Sequence, residues 1–176
     1  MKYEAFVLSD KIKVHDVVHY HSPLLWSNFN FTDFDVKTAN WSDEIKYLRP
    51  DELDVTDDIK SLPTDSGGIY IFFIKGTILP QFENHLAYIG RAKLTGTHNL
   101  RIRCRKYFYE FFDEEHGRPK ITRLIGKWGK HIYLRYLSLT DNDQITRLEA
   151  ELINAILPPF NDEIPNKIVK QAVAAF

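Results

Sequence analysis

Apolar and polar positions change period several times along the chain, and each change marks an element. Ile69 to Ile74 is an unbroken apolar run that follows the segment Leu-Pro-Thr-Asp-Ser-Gly-Gly from Leu62 to Gly68, the pattern of a short buried strand behind a turn. Lys75-Gly76 opens a connection of about a dozen residues, after which Leu86 to Gly90 reads as a second strand able to pair antiparallel with the first. From Asn99 to Phe112 the period becomes helical, with Asn99 as N-cap and Leu100, Cys104, Tyr107, Phe108 and Phe111 on one face. Gly117 ends this helix or follows its end. A second helix is predicted from Pro119 to Trp128, stopped by Gly129, and His131 to Leu139 reads as a third strand. Asp141 or Asp143 can cap a last long helix, which must stop near Ile156 because Pro158 biases the residue before it away from helical angles.

The first part of the chain has weaker periodicity. Tyr3 to Leu8 and Val14 to Tyr20 could be strands, and the Asp/Asn-rich stretch from Asn28 to Asp58 is loop-heavy. A boundary near Leu62 therefore divides an acidic extension, residues 1–64, from a main domain, residues 65–176, and the mixture of elements predicts an α+β fold.

With 176 residues and 44% apolar side chains, the chain has enough material for one core. Its apolar runs are far shorter than the roughly 20 residues of a membrane helix, and the N-terminus lacks the order of a signal peptide. A cytoplasmic protein without membrane contact is expected. The single cysteine, Cys104, excludes an internal disulfide framework, and its place on the apolar helix stripe marks it as a packing residue.

The formal net charge of -1 hides an asymmetry: residues 1–65 carry -6 and residues 66–176 carry +5. Lys93, Arg101, Arg105, Lys106, Arg118, Lys120 and Arg123, with Arg91, Arg103, Lys127 and Lys130, crowd one stretch. This is either a solvated basic face or the footprint of a nucleic-acid backbone.

Some residue types disagree with their positions. Glu149 lies among Ile145, Leu152, Ile153 and Ile156 on the core-facing stripe of the last helix, and Arg103 lies among Leu100, Tyr107 and Phe111 on the first. A carboxylate so placed needs a cation or strong donors, because burying it alone costs several kcal/mol. The two could pair with each other or form other structural salt bridges. Alternatively, the guanidinium could bind phosphate oxygens, and a lone carboxylate with water and phosphate oxygens would suit magnesium. Tyr70 shares a face with Phe72 and Ile74, and Tyr88 with Leu86 and Gly90; each is a core tyrosine with one hydrogen bond or a catalytic group.

Taken in order, Gly68-Ile69-Tyr70, Tyr88-Ile89-Gly90, Arg103, Glu149 and Asn161 resemble the motif set of the GIY-YIG nuclease family. The spacing of Glu149 from Asn161 through Leu-Pro-Pro-Phe-Asn, and Tyr107 four residues after Arg103, are similar to the N-terminal nuclease domain found in the bacterial excision-repair branch of that family. The likeness spans roughly Gly67 to Asn161. It implies a small three-stranded antiparallel sheet flanked by helices, with both tyrosines, the arginine and the glutamate converging on one sheet face. It further implies one Mg2+ or Mn2+ ion on Glu149, Arg103 on the scissile phosphate of DNA, Asn161 holding the site together, and Tyr70 or Tyr88 orienting or deprotonating the attacking water. A phenol with its ordinary pKa of about 10 is a poor base at neutral pH, so a nearby cation must lower it. Arg91 is placed to contribute.

The segment from Lys93 to Asn99 makes the spacing from Gly90 to Arg103 longer than in compact members, which predicts an enlarged loop beside the site. A stand-alone metal-dependent DNA endonuclease is the expectation, with residues 1–64 covering the site, choosing DNA or supporting a homodimer. The alternatives are a catalytically silent nucleic-acid-binding module and a protein-interaction module whose acidic part docks onto its own basic face or onto a partner.

Overall fold

The computed structural model describes residues 17–76, 78–79, 84–112 and 119–175. The strand expected from Tyr3 to Leu8 lies outside them, as do Gly117 and Arg118. Of Val14 to Tyr20 only residues 17–20 are described, and they are not strand.

In chain order the elements are α1 (Pro23–Ser27), β1 (Ile45–Lys46), α2 (Asp57–Lys60), β2 (Gly67–Lys75), β3 (Asn84–Ala92), α3 (Leu100–Phe112), α4 (Pro119–Trp128), a short 3-10 turn (Gly129–His131), β4 (Ile132–Leu139), α5 (Asn142–Ile156) and α6 (Lys167–Val173). The fold is α+β. Among the described residues its sheet is antiparallel with four strands in the order β1-β4-β2-β3, where three were expected. The extra strand comes from the stretch read as loop. It is two residues long, too short for periodicity to show, and pairs through Ile45 with Leu134 and Lys46 with Tyr133.

β2 is central, which explains its unbroken apolar run: both of its faces are covered. Tyr70 and Phe72 face α3 and α4, packing with Leu100, Cys104, Tyr107, Ile121 and Leu124, while Ile69 faces α5, packing with Ile145, Leu148 and Leu152. Each fully buried side chain of this size contributes about 1.5–3 kcal/mol by leaving water. Gly68, the second residue of β2, has φ of +144°, and a Cβ there would stand 2.0 Å from the Leu137 carbonyl oxygen, so only glycine lets β2 and β4 close at this point.

Helix ends follow the predicted caps. Asn99 Oδ1 accepts from the Ile102 amide at 3.0 Å; of the two aspartates weighed for α5, Asp141 caps it, accepting from Asp143 and Gln144. The tail also holds α6, capped by Asn166.

Residues of the expected extension join the main core. Tyr47, Leu48, Val55, Ile59 and Leu62 are buried with Tyr70 and Phe72, and the Tyr47 hydroxyl donates to the Cys104 carbonyl at 2.8 Å. Charge follows the same route: Glu44 pairs with Lys75 and Arg135, Glu52 with Lys130 and Asp33 with Arg147. Among the described residues, and apart from Lys130, these basic partners lie outside the crowded basic stretch of the sequence.

The Lys75 ammonium, joined by Arg135, holds the Glu44 carboxyl below its ordinary value of 4.5. A depressed folded-state pKa stabilises the fold above the unfolded value, and that contribution is lost as pH falls through the folded one. Urea midpoints followed by circular dichroism should therefore fall from about pH 5 downward, and Glu44→Gln should flatten that decline while lowering stability at neutral pH. An unchanged pH profile in the variant would show that Glu44 carries none of it.

Candidate active site

Strand alternation and register determine which side chains can meet. Tyr70 on β2 stands opposite Gly90 on β3. A Cβ at Gly90 would lie 2.5 Å from the Tyr70 hydroxyl and 2.6 Å from its Cζ, so the missing side chain is what lets the Tyr70 ring cross β3. Phe72 stands opposite Tyr88, but a bulge follows, and Phe73 is opposite Leu86. Leu86 therefore packs with the α5 side, whereas Tyr88 packs with the α3 side. The expectation that Leu86 and Tyr88 share a face is corrected by this extra residue, Ala87.

Three phenols meet beneath α3. Tyr70 and Tyr107 hydroxyls are 2.5 Å apart, and Tyr88 and Tyr107 hydroxyls 3.1 Å apart. Arg103 Nε donates to the Tyr70 hydroxyl at 3.3 Å, and its guanidinium lies 4.9 Å from the centre of the Tyr107 ring. A guanidinium has no acceptor, so the Tyr70 oxygen accepts from Arg103, while in the Tyr70–Tyr107 and Tyr107–Tyr88 pairs either hydroxyl can be the donor.

Burial raises the Tyr70 and Tyr107 phenols well above their ordinary value of 10. The cation-lowered pKa expected of a general base is thus not found at Tyr70: burial outweighs the opposing pull of Arg103. For Arg103 burial opposes the charge, but the oxygens of Tyr70 and Tyr107 outweigh it and hold the guanidinium firmly protonated.

The site residues do not all lie on one sheet face. Glu149 belongs to α5, on the face opposite α3, and Arg91 alternates to that same face. Arg91 Nη1 donates to Glu149 Oε2 at 2.5 Å, with the carboxylate side chain 16% exposed. Arg103 and Glu149 are therefore not each other's partner. Both reach instead into a cleft of about 880 Å³ along the outer edge of β3, lined also by Tyr88, Arg91, Lys93 and Asn161. Tyr70 is fully buried behind that wall.

Asn161 holds the edge. Its Oδ1 accepts from the Ile89 amide at 2.9 Å and its Nδ2 donates to the Ile89 carbonyl at 2.8 Å. Asn142 makes the same two-bond clamp on Leu94, at 2.8 and 2.9 Å. That clamp fixes the long loop between β3 and α3, which adds Thr95 and His98 to the cleft wall. His98, Thr146, Asp162 and Glu163 also line the cleft, and sequence reasoning missed them; the added length of the Lys93 to Asn99 segment was the one signal pointing to any of them.

The remaining basic residues divide between surfaces. Arg105 Nη2 donates to the Tyr109 hydroxyl at 2.7 Å, Lys106 pairs with Glu110 at 3.3 Å, and Arg101 donates to the Lys60 carbonyl at 3.3 Å. Lys120 and Arg123 are exposed on α4 and line a neighbouring hollow rather than the cleft itself.

For a metal ion the test is the donor set. Among the described residues no group of three His, Cys, Asp or Glu side chains could hold one. One carboxylate at the cleft wall, as Glu149 is, fits a hard cation that takes its other oxygens from water and a phosphate. Among the described residues, no helix is long and apolar enough to cross a membrane. Comparison of the chain with protein-family models, curated proteins and solved structures finds no match.

Ile89 is fully buried, so removing the Asn161 amide leaves a donor and an acceptor unsatisfied. Asn161→Ala should cost about 2–3 kcal/mol in urea unfolding, and Asn161→Asp, which keeps only the acceptor, should fall between it and the wild type. Equal stability of Asn161→Ala and wild type would show that the clamp holds nothing in place.

Proposed function

We propose that the chain is a metal-dependent endonuclease that hydrolyses DNA phosphodiester bonds through a GIY-YIG-type site. The observation that carries this reading is convergence: Tyr88, Arg91, Arg103, Glu149 and Asn161 come from β3, α3, α5 and the segment after α5, and all line one open cleft. The order of β2, β3, α3 and α5 also suits the resemblance, with β1 as an addition to the sheet.

Each residue has a task that its position allows. Arg103 presents a charge that its tyrosine neighbours keep protonated, suited to a phosphate whose oxygens gain negative charge in the transition state. Tyr88, whose hydroxyl hydrogen-bonds that of Tyr107 at the cleft wall, is placed to deprotonate or orient the attacking water. The oxygen–phosphorus bond to water forms as the bond to the leaving nucleoside oxygen breaks. Tyr70 and Tyr107 act as positioning residues, fixing Arg103 and Tyr88 from behind.

Glu149 would hold Mg2+ or Mn2+, whose Lewis acidity stabilises charge on the phosphate. Arg91 neutralises that carboxylate in the structure, and a bound phosphate offers the guanidinium a second partner of the same sign.

The same ion pair would also suit a silent module, in which Arg91 and Glu149 are only structural. Incubating supercoiled DNA with the purified protein in Mg2+, Mn2+ or EDTA separates the two. Nicking should require metal and fall at least about 100-fold in Glu149→Ala and in Arg103→Ala. Tyr88→Phe should lose about 10²–10⁴-fold, and Tyr70→Phe less. Full activity of Glu149→Ala would sink the proposal, and salt-sensitive DNA binding without cutting in either metal would favour the silent module.

A further inference from the structure

A second concavity lies on the other side of the segment that bears Asn161. Its described lining is apolar at the floor, with Pro158, Pro159, Phe160 and Ile164, and aromatic at Tyr20 and Trp128. Its rim carries Lys120, Arg123 and Lys127, exposed on one face of α4 at helical spacing. None of the described residues lining it is acidic. At about 230 Å³ the hollow is smaller than the ~300–1,000 Å³ of a drug-sized site.

Asn161 links the two places. Its side chain clamps β3 beside the cleft, while its carbonyl accepts from Lys120 Nζ at 2.7 Å on the far side. The ridge between cleft and hollow is thus one residue wide at this point.

We infer that this hollow seats an unpaired nucleotide of the substrate strand, so that the DNA cut by this protein carries a single-stranded segment next to the scissile phosphate. The cutting rests on the nuclease reading, but the binding does not. Cations spaced along a rim meet successive phosphates, and an aromatic, apolar floor takes a base by stacking whatever its identity. Intact duplex offers no unstacked base to such a floor, and a protein partner of matching chemistry would have to be acidic and apolar at once.

The test is binding in EDTA, where no cutting occurs. Fluorescence anisotropy of labelled oligothymidylate with the full chain should show tighter binding than duplex of equal length. The combined variant Lys120→Gln, Arg123→Gln, Lys127→Gln should bind at least about 10-fold more weakly near physiological salt, and its log–log salt slope should be smaller by about 2. Tyr20→Ala should weaken single-strand binding while leaving the salt slope unchanged.

Trp128 supplies a direct signal. Oligothymidylate should quench tryptophan fluorescence, the quench should survive in Trp26→Phe, Trp41→Phe, and it should vanish in Trp128→Phe. Equal affinity of the combined variant and wild type, a quench that persists without Trp128, or preference for duplex would overturn the inference. Binding that depends on these residues without cleavage in any metal would sink the nuclease reading alone, whereas metal-dependent cleavage unaffected by them would sink the hollow alone.

Discussion

A sheet has to end somewhere, and at its last strand one row of peptide groups faces no neighbour. In this chain that strand is β3, and the site is built from the way its outer edge is satisfied. Asn161 gives Ile89 both a donor and an acceptor, and Asn142 does the same for Leu94 just past the strand. The Phe160 amide donates to Ala87 as well. Two side-chain amides thereby stand in for a fifth strand over a short length, leaving room beside them for a cleft. A paired strand would have filled that space.

The sheet also sorts the charges. It separates one arginine, fixed by buried phenols, from another, fixed by a carboxylate, and both emerge at its rim. Because Arg103 can only donate, the Tyr70 oxygen accepts from it, and Tyr70 and Tyr88 meet through the Tyr107 hydroxyl. Burial holds Tyr70 and Tyr107 neutral, so beside them the positive charge is offset by dipoles rather than cancelled by an anion. A guanidinium in that setting keeps its attraction for an incoming phosphate. Direct pairing of Arg103 with Glu149 would have cancelled it.

Periodicity made most of the elements legible. The apolar run at Ile69 to Ile74, the helical faces of α3 and α5, and the caps at Asn99 and Asp141 all rest on local rules, and they agree with the structure to within a few residues. Glu149 and Arg103 could be picked out because a charge on an apolar stripe violates such a rule. Other features depend on which segments meet, and no local rule carries them. The bulge at Ala87 reverses the side of every residue before it, β1 is too short to have a period, and the identity of the Glu149 partner depends on register. The depth of Tyr70 could not be read either, since it depends on helix α3 lying over the glycine opposite it.

The position of β1 in the sheet has a consequence for how the chain acquires its structure. Hairpin β2–β3 joins neighbours in sequence, but β1 must wait for β4, which follows most of the protein. Until β4 is made, Tyr47, Leu48, Val55 and Ile59 have no complete surface to bury against. Contacts that span so much of the chain are the slow ones to form, and during synthesis β1 is made well before the strand on which it docks. A nascent chain of this protein therefore carries residues 45–62 without their partner until β4 is made, and molecular chaperones that recognise apolar segments have their opportunity there.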